Sequence, residues 1–320
     1  MTLFLLVAGF LLLTLGGSLL VDGAASVARR YGISDIVIGL TVVAFGTSAP
    51  ELVVNVVSAI QGTTDIAIGN VLGSNISNIL LILGASALIR RLPVQENTLR
   101  IDIPLSLLAA LVLLPMGASF LSLPLDGPDP AALGRIDGLI LLLFFALFLR
   151  YTFRVARVGA REDALAKGYG VPLSILMIVA GLASLVFGGK LLVDAAVVIA
   201  RHLGITERVI GLTVVAVGTS LPEMATSMVA AYKKNADIAV GNIVGSNIFN
   251  ILLVLGASAV IRPLPVSSGT VVDLSMTALC SMLLLVLVRR ADDRLIGRRD
   301  GAVLVACYAG YVAYLFTAGN

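Results

Sequence analysis

The chain has 320 residues, of which 58% are hydrophobic and only 13% charged, with a mean hydropathy of +1.05. Soluble domains carry roughly twice that charged fraction, so an ordinary water-borne globular enzyme is excluded. The net charge of +3 is spread over short loops, which excludes a nucleic-acid binder, and one histidine (His202) with two cysteines in apolar stretches (Cys280, Cys307) excludes a histidine metal centre and a disulfide framework.

Taken in order, the apolar stretches predict spans near residues 3–28, 33–60, 66–90, 101–118 and 136–153. A polar linker follows at 155–170, and five more spans are expected near 171–200, 205–232, 238–261, 270–288 and 301–317. Runs of this length cross a hydrocarbon layer as helices, because about 20 residues at a 1.5 Å rise suffice. The first stretch lacks the basic start and small-residue cleavage site of a signal peptide, so it reads as a retained helix. Nothing alternates in the short pattern of a membrane β-barrel. The expected fold class is all-α integral membrane protein.

An internal repeat sets the architecture. Val37–Val94 aligns with Val209–Val266 without a gap, and well over half the positions are identical. IGLTVVAFGTSAPE (Ile38–Glu51) matches IGLTVVAVGTSLPE (Ile210–Glu223), and Asp65–Ala87 matches Asp237–Ala259. Each copy holds five spans, and an odd number forces the two copies to enter the bilayer in opposite senses. The expected organisation is residues 1–154, a cytoplasmic linker 155–170, and an inverted second repeat 171–320. Arg29, Arg30, Arg90, Arg91, Arg100, the linker cluster, Lys233, Lys234 and Arg289–Arg299 then share one side. By the bias of Lys and Arg that side is cytoplasmic, with both termini outside a cell (inner) membrane crossed many times.

Two acids stand out. Glu51 and Glu223 lie mid-span at equivalent places, with no Lys or Arg within two helical turns. A carboxylate there is costly and marks an ion or proton pathway. Pro50 and Pro222 lack an N–H and break the ladder just before them. Backbone carbonyls freed at that depth are tolerated where a cation satisfies them. Thr47, Ser48, Thr219 and Ser220 add hydroxyls one turn earlier. Ser74 and Asn78, like Ser246 and Asn250, are four apart and share a helical face. Asn70, Asn75, Asn242 and Asn247 either line the site or tie broken backbone together. Gly69/Gly73 and Gly241/Gly245 predict close helix approach. These are hard oxygen ligands, suited to Ca²⁺ or Na⁺ rather than Zn²⁺ or Cu⁺. Elsewhere Asp65 and Asp237 read as helix N-caps, Lys190 as an i,i+4 partner of Asp194, and Asp35, Glu207, Asp102 and Asp273 as interfacial charges.

At the paired GTSxPE and GSNxxN motifs the chain resembles the cation/Ca²⁺ exchanger superfamily, in its prokaryotic calcium/sodium antiporter branch. The resemblance implies ten helices in two inverted five-helix repeats. It implies a Ca²⁺ site from the carboxylates of Glu51 and Glu223 and the carbonyls of Thr47 and Thr219. Na⁺ sites would draw on Ala44, Ser48 and Ser74 on one side and Ala216, Ser220 and Ser246 on the other, with Asn78 and Asn250 lining the middle. Some members, including K⁺-dependent ones, have Asp where Asn250 stands, so Asn argues against K⁺ coupling. The first and sixth spans are expected to slide over the core, with Gly16, Gly17, Gly188 and Gly189 permitting it. The function expected is Na⁺/Ca²⁺ antiport by alternating access, or alternatively H⁺-coupled exchange of Ca²⁺ or another divalent cation. An enzyme is not expected, nor is a cofactor, a nucleic acid or an obligate protein partner; the partners are Ca²⁺, Na⁺ and the bilayer.

Overall fold

The computed structural model describes residues 2–117, 132–158, 168–202, 216–266, 268–291 and 293–318. Most of the expected linker (159–167), and the start of the expected seventh span (203–215), lie outside the described residues. Helix α1 runs Thr2–Tyr31. The second span is broken into α2 (Asp35–Thr47) and α3 (Ala49–Gln61), which meet at Ser48 with a 46° bend. Then come α4 (Thr64–Ile89), α5 (Thr98–Met116), α6 (Arg135–Val158) and α7 (Val171–His202). The second copy of the broken span is described as α8 (Ala216–Thr219) and α9 (Leu221–Tyr232). Helices α10 (Ala236–Ile261), α11 (Ser268–Arg290) and α12 (Arg298–Ala318) complete the chain. Among the described residues seven helices are long and apolar enough to cross a membrane, or eight with the bent pair counted as one span. This is a helical membrane protein.

The two halves interlock as equals. Strand β1 (Leu92–Pro93) pairs antiparallel with β4 (Leu295–Ile296), while β2 (Ala132–Leu133) pairs with β3 (Leu264–Pro265). Each ribbon therefore joins one half's third-to-fourth loop to the other half's fourth-to-fifth loop. Glycines repeat the exchange. A Cβ at Gly138 in α6 would stand 2.6 Å from the Gly256 carbonyl of α10, and one at Gly301 in α12 would stand 2.6 Å from that of Gly84 in α4. Asp137 and Asp300, in the first turns of their helices, reach back to accept 2.8 Å bonds from the amides of Gly134 and Gly297 just before those helices.

The centre is α4 and α10. They are buried for most of their length, with Leu72, Ile76, Leu80, Ile243, Ile248 and Leu252 all under 3% exposed. Both loosen into π-helical turns just where the repeat places its last asparagine, at Asn78–Leu83 and Phe249–Leu255. Such turns swing side chains off the α-helical register and favour functional positions. Gly241 and Gly245 do admit a close neighbour: Cβ atoms there would stand 2.8 Å from Ile36 O and from Leu40 O. The corresponding partners of Gly69 and Gly73 would fall at 208–216, largely outside the described residues. Outside the core, α1 and α7 lie against each other, with Gly9 meeting Gly188 and Gly16 meeting Gly181.

Several local expectations are corrected. Asn235, not Asp237, caps α10, accepting from the Ile238 amide at 3.1 Å, because a cap must precede the first helical residue. Asp237 instead accepts from Gln95 Nε2 at 2.6 Å. Asp65 lies inside the first turn of α4 rather than at its cap. Lys190 and Asp194 form no ion pair; Lys233 reaches Asp22 at 2.6 Å instead. Asp102 is no interfacial charge, being only 3% exposed with its Oδ1 unpartnered, while Asp273 accepts from the Tyr311 hydroxyl at 2.8 Å.

Candidate cation-binding site

Glu51 and Glu223 occupy the first turns of α3 and α9, each directly after the helix-starting proline. The breaks at Ser48 and Ser220 make these residues helix N-termini in mid-protein, where the dipole favours negative charge. Both glutamates are fully buried, and among the described residues neither has a basic partner. A buried carboxylate left without a counter-charge costs several kcal/mol, so either a proton or a metal cation must offset the charge of the pair.

The hydrogen bonds cross between the halves. Ser48 Oγ donates to Glu223 Oε1 at 2.9 Å, and Ser220 Oγ stands 3.4 Å from Glu51 Oε1 and 3.0 Å from Ser74 Oγ. Each motif's serine thus serves the other motif's glutamate, which brings the two carboxylates to one place. The other oxygens, Glu51 Oε2 and Glu223 Oε2, have no partner.

Asn78 and Asn250 add two more bare oxygens, and the cause is legible. Asn78 Nδ2 donates to Asn247 Oδ1 at 3.0 Å. Asn250 Nδ2 lies 3.1 Å from both Asn75 Oδ1 and Ser74 Oγ. The amide nitrogens are held, and the Oδ1 atoms are left buried without a partner. Four buried oxygens without partners, two carboxylate and two amide, come in equivalent pairs from both halves, and hard oxygens of this kind suit a hard cation. Ser246 Oγ is a fifth, also buried and bare.

The open question over the remaining asparagines resolves toward structure. Asn75 Nδ2 donates to the Asn247 carbonyl at 3.3 Å and Asn247 Nδ2 returns the bond to the Asn75 carbonyl at 3.4 Å, a reciprocal clasp between α4 and α10. Thr47 Oγ1 donates to Asn242 Oδ1 at 3.0 Å, and Asn242 Nδ2 donates to Ser227 Oγ at 2.9 Å. The mirror relay runs from Thr219 Oγ1 to Asn70 Oδ1 at 3.1 Å and from Asn70 Nδ2 to Asn55 Oδ1 at 3.3 Å. The threonine hydroxyls are therefore engaged in cross-repeat bonds. Ala44 is fully buried on α2, and Ala216 opens α8.

Asn55 and Ser227 were not anticipated from sequence. The signal was present: each follows its glutamate by four residues, on the same helical face. Thr226, fully buried with an unpartnered hydroxyl, is a further polar residue beside the second motif. Among the described residues no group of three His, Cys, Asp or Glu is placed to hold a metal ion.

Residues 1–154 and 173–317 match the family model described as sodium/calcium exchanger protein. The chain belongs to the sodium/calcium exchanger family. Within it, the sodium/calcium exchanger MaX1 of Methanosarcina acetivorans is 30% identical, with 98% of this chain and 97% of that one covered. The inner membrane protein YrbG of Escherichia coli is 37% identical, covering 98% and 96%. Solved structures of the sodium-calcium exchanger NCX_Mj superpose with a TM-score of 0.83 at 32% identity over 98% of each chain. The chain is thus a membrane transporter of the exchanger family, whose substrates are Na⁺ and Ca²⁺.

Proposed function

We propose that this exchanger moves Na⁺ against Ca²⁺ by alternating access, with the ions held between Glu51 and Glu223. The single observation that carries the reading is the set of unpartnered buried oxygens, Glu51 Oε2, Glu223 Oε2, Asn78 Oδ1 and Asn250 Oδ1. Two negative charges balance one Ca²⁺, and the same charges are shared by Na⁺ ions that add the hydroxyls of Ser48, Ser74, Ser220 and Ser246. The carbonyls of Thr47 and Thr219 complete the Ca²⁺ shell, and the regions of Ala44 and Ala216 flank it. Because both cations need the same carboxylates, each displaces the other. Competition of this kind is the physical basis of exchange.

Access to the site changes, on this reading, by movement of α1 and α7. They pack closely on one another, with side chains such as Leu185 and Leu12 seated on glycines of the facing helix. Ser184 Oγ donates to Leu12 O at 2.8 Å, so they move together. Helix α1 crosses α9 at Gly17, where a Cβ would stand 3.1 Å from Ala225 O. The pair slides over the core as one; α4 and α10 stay clasped to each other. If three Na⁺ enter for each Ca²⁺ that leaves, one net charge crosses per cycle, and 100 mV of potential contributes about 2.3 kcal/mol. The termini are read as extracytoplasmic and the 155–170 linker as cytoplasmic, from the distribution of arginines.

Radiolabelled Ca²⁺ uptake into proteoliposomes loaded with Na⁺ tests the assignment. Uptake should require internal Na⁺ and vanish in Glu51→Gln and Glu223→Gln. Uptake driven by a pH gradient with no Na⁺ would replace the reading with H⁺-coupled exchange, since a bare carboxylate oxygen also accepts a proton.

A further inference from the structure

A second charged feature lies away from the ion site. Ile89, Arg90, Arg91 and Arg298 line a pocket of about 360 Å³ where the end of α4 meets the start of α12. The neighbouring arginines Arg100 and Arg294 have a partner, both pairing with Glu96. The guanidinium groups of Arg90, Arg91 and Arg298 have no hydrogen bond or ion pair among the described residues. Three unpaired cations around one pocket repel each other unless an anion joins them.

The repeat supplies an internal control. On the opposite face the equivalent positions are Arg262, Pro263 and Arg135. There the Arg262 guanidinium sits over Gly62, which at φ 84° leaves the space a side chain would fill. Pro263 carries no charge, and Arg135 is already engaged. The three-arginine pocket is therefore not a by-product of the duplicated fold. It belongs to one side only, the side of the β1–β4 ribbon.

Its surroundings indicate what kind of anion it takes. Leu88 and Val303, within about one to one and a half helical turns of the arginines, are 40% and 51% exposed. Their helices are locked together there, since a Cβ at Gly301 would meet the Gly84 carbonyl and the Leu88 amide. Leu88 and Val303 thus offer exposed apolar surface on the two helices whose ends meet at the three arginines. We infer that this pocket binds the phosphate of an anionic phospholipid, whose acyl chain lies along Leu88 and Val303. Arginine suits the task, because its planar fork takes phosphate oxygens in pairs.

Native mass spectrometry of the full-length protein in detergent tests this, with added phosphatidylglycerol, phosphatidylcholine or inorganic phosphate. The variant is the triple Arg90→Gln, Arg91→Gln, Arg298→Gln; the charge-matched control is the triple Arg154→Gln, Arg289→Gln, Arg290→Gln. Wild type and control should retain phosphatidylglycerol in preference to phosphatidylcholine. At about 1 kcal/mol per arginine, the triple variant should lose roughly a hundred-fold in retention. The single Arg298→Glu, compared at equal melting temperature, should lose retention in the same direction, which guards against a folding artefact. Equal retention in wild type and triple variant would overturn the inference. Arginine-dependent binding of inorganic phosphate that displaces the lipid would overturn the lipid assignment in favour of a free-phosphate site.

Discussion

Replacing Glu51 by Gln keeps the shape of the side chain and removes one charge from a fully buried site. A unit charge pair at 4 Å and an effective dielectric of 20 is worth about 4 kcal/mol, so a carboxylate and Ca²⁺ gain about 8 kcal/mol. Displacing the proton that an ion-free buried carboxylate takes up offsets several kcal/mol of that. The net loss is about 4 kcal/mol of Ca²⁺ affinity, or roughly a thousand-fold. For Na⁺ the Coulomb gain is only half as large, so the loss is smaller than for Ca²⁺. The substitution should therefore be selective for the divalent ion. It should also leave the ion-free protein at least as stable, because a neutral amide costs less to bury than an uncompensated carboxylate, even though its outer atom stays as unpartnered as Glu51 Oε2. Thermal melting with titrated Ca²⁺ measures both effects. Wild type at a hundred times its Kd gains about 2.7 kcal/mol from the ligand, while the variant at the same Ca²⁺ gains less than about 0.1 kcal/mol. A variant whose melting temperature still rises with Ca²⁺ as wild type does would refute the assignment of Glu51 as a ligand, as would an ion-free melt well below wild type.

Other expectations follow from the contacts. Asn250→Ala removes a bare oxygen and leaves Asn75 Oδ1 without its 3.1 Å donor, so Ca²⁺ affinity should fall and stability drop by about 1–3 kcal/mol, both readable in the same melts. Gly301→Val forces branched atoms against the Gly84 carbonyl and should cost about 3 kcal/mol or more in unfolding, whereas Gly310→Ala, with nothing within 4 Å, should leave the melt unchanged. Lys233→Gln releases a partly exposed bond to Asp22 and Ser18 of α1, worth about 1 kcal/mol at most. Its melt should barely move, but if α1 slides, exchange turnover should change by up to about five-fold, and identical turnover would place that contact outside the transport cycle.

The legible parts of the chain were those written in local pattern. The duplicated GTSxPE and GSNxxN motifs were visible as identity at a fixed offset, and mid-span Glu51 and Glu223 stood out because a charge in an apolar run has so few reasons to be there. The π-helical turns at Asn78 and Phe249 were not visible, since no residue type encodes the wider turn. Asn55 and Ser227 went unnoticed because a lone polar residue on an amphipathic face is ordinary until its neighbours are known.

Sequence by itself determined the spans, the repeat and the residue types of the site, because each depends on hydropathy and spacing along one chain. Tertiary structure decided the pairing. Spacing sets Ser48 beside Glu51, yet its hydroxyl bonds Glu223, and Thr47 reaches Asn242 of the other half at 3.0 Å, closer than the Ala44 carbonyl of its own turn at 3.3 Å. Likewise β1 finds β4, and Lys233 finds Asp22 across 211 positions. A helix face specifies which residues point the same way. Which other face it meets is set by how two like halves pack, and no local period carries that information.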